Sequence, residues 1–167
     1  MPGSIRITGT GQLLELRRRL REAGGPRLQQ NFGRRIRRAA EPLRNDLQST
    51  MRGLAITSSG RTVRGGPSPT SRPLRATIAA SIRISVRYGS NPGARIWVDR
   101  SSLPADLRNM PNVLDDGRVR HPVFGNRRKW ATQWAPAGWW TKTVREHESR
   151  MRAEVARVLN DVARLLD

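Results

Sequence analysis

The residues able to perform acid–base or metal chemistry are few in this 167-residue chain and poorly placed for it. The chain has no cysteine and only two histidines, His121 and His147. His147 lies between Glu146 and Glu148, but successive side chains on a helix point about 100° apart and do not converge on one ion. His121 precedes Pro122 and is better explained by packing or hydrogen bonding than by catalysis.

Asp115 and Asp116 are the remaining candidates for a cation site. They precede Gly117, and Asp-Asp-Gly is first of all a turn sequence. The sequence contains no glycine-rich phosphate loop, nucleophile elbow or cluster with metal-ligand spacing. We therefore expect a protein that is not an enzyme and that needs no cofactor or metal.

Residues that favour binding are more numerous than residues that favour catalysis. Many of them lie in an aromatic stretch from residue 121 to 144. It holds five of the eight aromatic residues of the chain: Phe124, Trp130, Trp134, Trp139 and Trp140. Prolines and glycines interrupt the stretch, so we predict a structured loop that ends at a helix. Large aromatic side chains in such a loop either fill a domain core or anchor a partner.

All four tryptophans of this stretch are candidates for a subunit interface. Trp139 and Trp140 are adjacent at a predicted helix start, so we expect one to pack inward and the other to lie at a contact with another subunit or with a neighbouring ring. Trp130 and Trp134 are assigned to the same interface.

Positive charge is the second candidate for binding chemistry. The formal net charge is +19, from 32 basic and 13 acidic residues. Residues 1–80 carry 16 basic and 4 acidic groups, a net of +12, whereas residues 121–167 carry 9 and 5, a net of +4. Almost all the basic residues are arginines, whose planar forks suit phosphates and carboxylates. The N-terminal half is therefore predicted to face nucleic acid or an acidic partner.

Three arginines of a predicted helix mark this basic surface. With Ile36 as the centre of the apolar stripe, Arg27, Arg34 and Arg38 lie within about 20° of the opposite side. The plainer interpretation is a solvated helix face. The functional interpretation is contact with an acidic protein or with DNA phosphates, without any reading of base sequence, since helix-turn-helix and zinc-finger signatures are missing.

Residues 56–73 form a third candidate region. They are rich in Gly, Ser, Pro and Thr and have no periodic apolar pattern. A loop of this length inside a domain is generally either functional or disordered. We predict a flexible loop, and the sharper interpretation is an arm that orders against another subunit or DNA through Arg61 and Arg64.

Apolar spacing predicts the elements that position these residues. Residues 1–55 are expected to be mainly helical, with a short edge strand at 4–8, a helix from Thr10 to about Ala23 and a second helix over about 27–52. Pro26 suits the first position of the second helix, and Pro42 is expected to kink it.

Residues 74–167 are expected to form the sheet and the last helix. Alternating residues predict strands at 82–88 and 94–98, and a further strand at 118–123. The final helix is predicted from about Trp140 to Leu166, with capping-box spacing at Thr143 and Glu146. The expected fold is a single α+β domain over residues 1–167, in which a small antiparallel sheet packs with a kinked N-terminal helix pair and a long C-terminal helix.

The C-terminal half also resembles a known protein family. His-Pro-Val-Phe-Gly-Asn at 121–126, then spaced tryptophans, then Ala-Pro-Ala-Gly-Trp-Trp at 135–140 before a long amphipathic helix, is similar to tail-completion or neck proteins. These proteins join head to tail in long-tailed double-stranded DNA bacteriophages. The resemblance extends from about Pro73 to the C-terminus, although many relatives have Pro-Pro-Gly-Trp-Phe before the last helix.

The resemblance implies a structural protein of the virion neck. It implies a homo-oligomeric ring, expected to be a hexamer, that completes the tail end around the DNA channel. The implied partners are portal, adaptor or stopper proteins, a tail terminator or tail tube protein, and DNA in the channel. No membrane contact is expected, because no apolar run approaches the roughly 18 residues of a span, and synthesis is expected in the host cytoplasm. The alternative is an arginine-rich protein that binds nucleic acid without sequence specificity.

Overall fold

The computed structural model describes residues 5–8, 26–58, 73–87, 93–123 and 126–164, together with the helical residues 11, 15, 18 and 22. The helices are α1 (Pro26–Gly53), α2 (Leu74–Ala80), α3 (Met110–Asp115) and α4 (Trp139–Arg164). The strands are β1 (Ile5–Thr8), β2 (Thr57–Ser58), β3 (Ile82–Arg87), β4 (Gly93–Val98), β5 (Arg118–Val123) and β6 (Asn126–Trp134). The predicted α+β class with a long C-terminal helix is confirmed.

The described strands form two three-stranded sheets, with strand orders β1-β4-β3 and β2-β6-β5. β1 is an edge strand, as predicted, and pairs antiparallel with β4 so that Ile5 lies opposite Ile96. β6 pairs antiparallel with β2 on one side and with β5 on the other. Two positions of the predicted flexible loop, Thr57 and Ser58, are therefore in a strand, while residues 59–72 lie outside the described residues.

The chain divides into two compact units. Among the described residues, unit 1 is built from Asp46–Ile82 and Val98–Arg145, and unit 2 from Ser4–Asn45, Arg83–Trp97 and Glu146–Asp167. α1 and α4 each contribute residues to both units.

Unit 2 is organised by the apolar stripe of α1. Spacings of three and four residues place one side of this helix in the core, where Phe32, Ile36, Ala40 and Leu43 are buried. The same unit buries Ile84, Ala94 and Ile96 of the sheet and Met151 and Val155 of α4. α1 begins at Pro26, as predicted, and continues as helix through Pro42, where the predicted kink is not confirmed.

Unit 1 contains the last turns of α1, the second sheet and the start of α4. Leu47, Met51 and Leu54 continue the apolar stripe and are buried. Arg75 of α2 donates from Nη1 to the carbonyl oxygen of Leu54 at 2.8 Å, which ties α2 to the chain after α1. Ile78, in the same segment, is fully buried.

The start of α4 is fixed by Asp115, and the predicted capping box is wrong. Thr143 lies inside the helix, and its hydroxyl donates to the carbonyl oxygen of Trp139 at 2.7 Å. The buried carboxylate of Asp115 instead accepts from the backbone N–H of Trp140 at 2.9 Å and from the Thr141 hydroxyl at 3.1 Å. A local pattern did not reveal this cap because its acceptor comes from another helix.

The predicted Asp-Asp-Gly turn is present and holds the chain close to this cap. Gly117 has a φ of 83°, which favours glycine. A Cβ atom there would lie 2.9 Å from the carbonyl oxygen of Ala135 and 2.9 Å from the Cβ of Ala137. Ala135 donates its N–H to the carbonyl oxygen of Gly117 at 2.9 Å. The two segments can approach this closely only because Gly117 has no side chain.

Candidate interface on the β5–β6 ribbon

The antiparallel ribbon of β5 and β6, in unit 1, has two chemically different faces. Arg118 lies opposite Trp134, Arg120 opposite Thr132 and Pro122 opposite Trp130. Directly opposed residues share a face, and successive residues alternate between faces. We call the face defined by Arg118, Arg120, Trp130, Thr132 and Trp134 the Trp/Arg face.

The other face of the ribbon is turned toward the protein. Val119 is buried, and His121, Ala131 and Gln133 are half-buried. This face supplies the packing that holds the ribbon in place, so the Trp/Arg face is the one presented to solvent.

The tryptophans of the Trp/Arg face are unusually accessible. Trp130 and Trp134 are each 48% exposed and are the large hydrophobic side chains that stand out as exposed in the described part of the chain. Exposed tryptophan is uncommon because its burial removes a large apolar area from water. Two such rings on one face therefore mark a surface suited to a partner.

An arginine of the neighbouring strand lies over one face of each exposed indole. The guanidinium carbon of Arg118 lies 5.5 Å from the centre of the Trp134 ring, and that of Arg120 lies 5.1 Å from the centre of the Trp130 ring. These are cation–π distances, and such contacts contribute about 0.5–1 kcal/mol at exposed sites. The pairing orders the rings and keeps the positive charges beside them.

A basic bulge extends this surface. The pairing of β5 with β6 shifts between Pro122 and Val123, which leaves Arg127, Arg128 and Lys129 as extra residues on β6. All three are exposed. The backbone N–H of Arg128 donates to the Asn126 side chain at 3.0 Å, and the Trp130 indole N–H donates to the carbonyl oxygen of Arg127 at 2.8 Å. We call residues 127–129 the basic bulge.

The ribbon carries positive charge without compensation from its own strands. Residues 118–134 include five basic residues and no aspartate or glutamate. A surface of this kind attracts carboxylates or phosphates. Arginines stacked on indoles keep N–H groups at the edge of the guanidinium plane that can donate to such groups.

The other two tryptophans of residues 121–144 are core residues, so the prediction that one of them faces a partner is wrong. Trp139 and Trp140 are each 3% exposed. Their rings meet edge to face, with centres 5.6 Å apart. The Trp139 indole donates to the carbonyl oxygen of Pro111 at 3.1 Å. Adjacent side chains diverge on a helix, but α3 and the Asp115 cap lie against the start of α4, so both rings are covered.

The predicted loop around these tryptophans is also corrected, because residues 126–134 are a strand. The alternation of Trp130, Thr132 and Trp134 along an acid-free segment was the available signal. Together with the alternation of Arg118, Val119 and Arg120, it would have identified the two arginines that sequence reasoning missed as site residues.

The predicted arginine sites have mixed outcomes. Arg34 and Arg38 are exposed on α1, in unit 2, and Arg34 donates to the side chain of Asn31. Arg27 is in the helix, but its side chain is not among the described ones. Arg61 and Arg64 lie outside the described residues.

The described residues contain no group of three or more His, Asp or Glu arranged to hold a metal ion. No described helix is long and apolar enough to cross a membrane.

No protein-family model, no curated protein and no solved structure matches the chain significantly. The fold and the ribbon define an α+β protein that, in its described part, exposes a surface on which tryptophan and arginine side chains pair.

Proposed function

We propose that the chain is a structural subunit of the neck of a long-tailed bacteriophage. In this role, a ring of copies completes the end of the tail and joins it to the head connector around the DNA channel. The observation that carries the proposal is the Trp/Arg face. Tryptophan and arginine are among the residues most enriched at the energetic centres of protein interfaces, and here an arginine lies against each exposed indole.

The charge of the ribbon supports the kind of contact proposed. Five basic residues with no acid among them favour a partner surface that carries carboxylates. The two indoles supply apolar area at the centre of that contact, and the arginines supply its polar rim. A subunit whose neighbours cover this face fits a ring in a stack of rings, as the resemblance to neck proteins implies.

The decisive experiment replaces both exposed indoles in a phage that carries this gene. We expect W130A/W134A to leave filled heads and completed tails unjoined, which electron microscopy of infected-cell lysates measures. W130F/W134F is the matched control, because phenylalanine keeps an aromatic ring under each arginine. We expect this control to retain most of the joining.

Native mass spectrometry of the purified variants then locates the contact. If W130A/W134A still forms rings but does not join heads to tails, the Trp/Arg face contacts a neighbouring ring. If the rings dissociate, the face lies between subunits of one ring. Normal rings together with normal joining would show that the proposal is wrong.

The basic bulge favours a second candidate, a protein that binds nucleic acid without sequence specificity. Surfaces that bind single strands combine aromatic rings, on which bases stack, with basic residues that follow the phosphates. Trp130, Trp134 and the basic bulge provide both parts on one ribbon. Quenching of tryptophan fluorescence by single-stranded DNA, abolished in W130A/W134A while phage assembly is unaffected, would favour this candidate over the first.

A further inference from the structure

A groove of about 530 Å³ lies in unit 2, between residues 35–42 of α1 and residues 147–161 of α4. Its volume is within the range of about 300–1,000 Å³ that is usual for binding clefts. The residues that line it recur at spacings of three and four on each helix, so each helix contributes one continuous stripe.

The groove has an apolar lining between charged residues. Ala39 and Pro42 of α1 and Met151 and Val158 of α4 are its apolar members. Met151 is buried, and the other three are half-buried. A second apolar surface that covers these half-buried side chains removes them from water, which lowers the free energy of the complex.

Two of the four arginines that line the groove are not paired with its acidic residues. Arg35 pairs with Asp161 of the other helix at 3.0 Å, and Arg157 pairs with Glu154 at 2.8 Å. These pairs engage both acidic residues that line the groove. Arg38 and Arg150 also line it, and within the described part of the chain neither has an ion-pair partner.

We propose that this groove binds an amphipathic, acidic α-helix of a partner protein. An amphipathic helix presents apolar side chains at positions i, i+3, i+4 and i+7, which match a cleft bordered by two helical stripes. Carboxylates flanking those side chains would reach Arg38 and Arg150. This proposal concerns a site in the other unit from the Trp/Arg face and does not depend on the neck function.

Two other occupants are disfavoured by chemistry. A second copy of the chain carries a net charge of +19 and would bring arginine against arginine. A nucleic acid would satisfy Arg38 and Arg150 with phosphates, but its backbone presents no apolar stripe to cover Ala39, Pro42 and Val158. An acidic amphipathic helix satisfies both features of the groove.

Thiol protection tests the site directly, because the chain has no cysteine of its own. Val158→Cys places a thiol in the groove, and Ala156→Cys places one on an exposed position of the same helix, about 200° around the axis. The probe is a synthetic helical peptide with leucines at i, i+3, i+4 and i+7 flanked by glutamates. At a peptide concentration of four times Kd, we expect alkylation of Cys at 158 to slow about fivefold and that at 156 to be unchanged.

Matched charge variants test the role of the two arginines. R38Q/R150Q removes two positive charges from the groove, and R37Q/R152Q removes two from exposed positions of the same helices. We expect the first variant to weaken peptide binding about tenfold, as removal of two partly exposed ion pairs would. The second should bind as the unmodified protein does, although its net charge is equally reduced.

The alternatives give distinct results. Protection of both cysteines or of neither contradicts the proposal, as does equal binding of a peptide with lysines in place of glutamates or with scrambled leucines. If single-stranded DNA protects Cys at 158 and the acidic peptide does not, the groove is a polyanion site and the proposed occupant is wrong.

Discussion

At the scale of single residues, Asp115 joins two elements of unit 1, because it ends α3 and accepts hydrogen bonds from the start of α4. Asp115 is 6% exposed, and its carboxylate accepts from the Trp140 N–H and the Thr141 hydroxyl. Asp115→Ala leaves these donors at a helix start without their acceptor, where removal of an N-cap costs about 0.5–2 kcal/mol and a buried unsatisfied group about 1–3 kcal/mol. We expect the free energy of unfolding, measured in urea, to fall by about 2 kcal/mol.

The neighbouring residue is the control for this prediction. Asp116 is exposed, so Asp116→Ala should change stability by less than about 0.5 kcal/mol. Asp115→Asn keeps a side-chain oxygen that can accept from Trp140 and should give an intermediate decrease. An unchanged unfolding midpoint for Asp115→Ala would show that the cap is not needed to hold the start of α4.

Asp115 also shows what sequence can and cannot reveal about single residues. Asp-Asp-Gly correctly predicted a turn, because Gly117 adopts the positive φ that this tripeptide favours. The capping role was not predictable, because Asp115 and Trp140 are 25 positions apart and only the folded chain brings them together.

At the scale of elements, the four tryptophans divide between the inside and the outside of unit 1. Trp139 and Trp140 begin α4 and are buried, whereas Trp130 and Trp134 lie on β6 and are half exposed. We expect W139A and W140A each to lower the free energy of unfolding by about 3–5 kcal/mol, as truncation of a buried aromatic does. W130A and W134A remove one cation–π interaction each and should cost about 1 kcal/mol or less.

Thermal unfolding of the four single variants measures this division. The core variants should melt well below the unmodified protein, and the ribbon variants close to it. A large decrease in the stability of W130A or W134A would show that these rings support the fold, and the Trp/Arg face would then be a poor candidate for an interface.

Elements with strong periodicity were predictable, and those fixed by distant partners were less so. The apolar stripe from Phe32 to Met51 predicted α1 closely, since one face of a helix in the core imposes that spacing. The sequence predicts a loop at β6, because the prolines and glycines near it obscure the alternation within it. β6 pairs with β5, which directly precedes it, and with β2, which is far away in the sequence. The second pairing could not be read from the local pattern.

At the scale of the whole molecule, the excess of arginine raises the question of which surface meets DNA. The sequence predicts that DNA or an acidic partner contacts Arg27, Arg34 and Arg38, because these residues lie opposite the apolar stripe of α1. Arg34 and Arg38 are exposed, and that assignment stays a prediction. Arg38 also lines the groove of unit 2, and Arg34 donates to the side chain of Asn31. The basic bulge is a stronger candidate, because all three of its side chains are exposed and no acidic residue lies on its ribbon.

We therefore predict that the basic bulge dominates binding to DNA. R127Q/R128Q/K129Q and R27Q/R34Q/R38Q each remove three positive charges, so a difference between them reports position rather than net charge.

Binding should be measurable at low salt and indifferent to sequence, because it is directed at phosphates. The slope of log K against log salt for duplex DNA should flatten by about 0.9 for each phosphate that the variant no longer neutralises, and more for the bulge variant than for the helix variant. Greater flattening in the helix variant would return the DNA-facing role to α1, and equal flattening in both would mean that DNA responds only to the total charge of the chain.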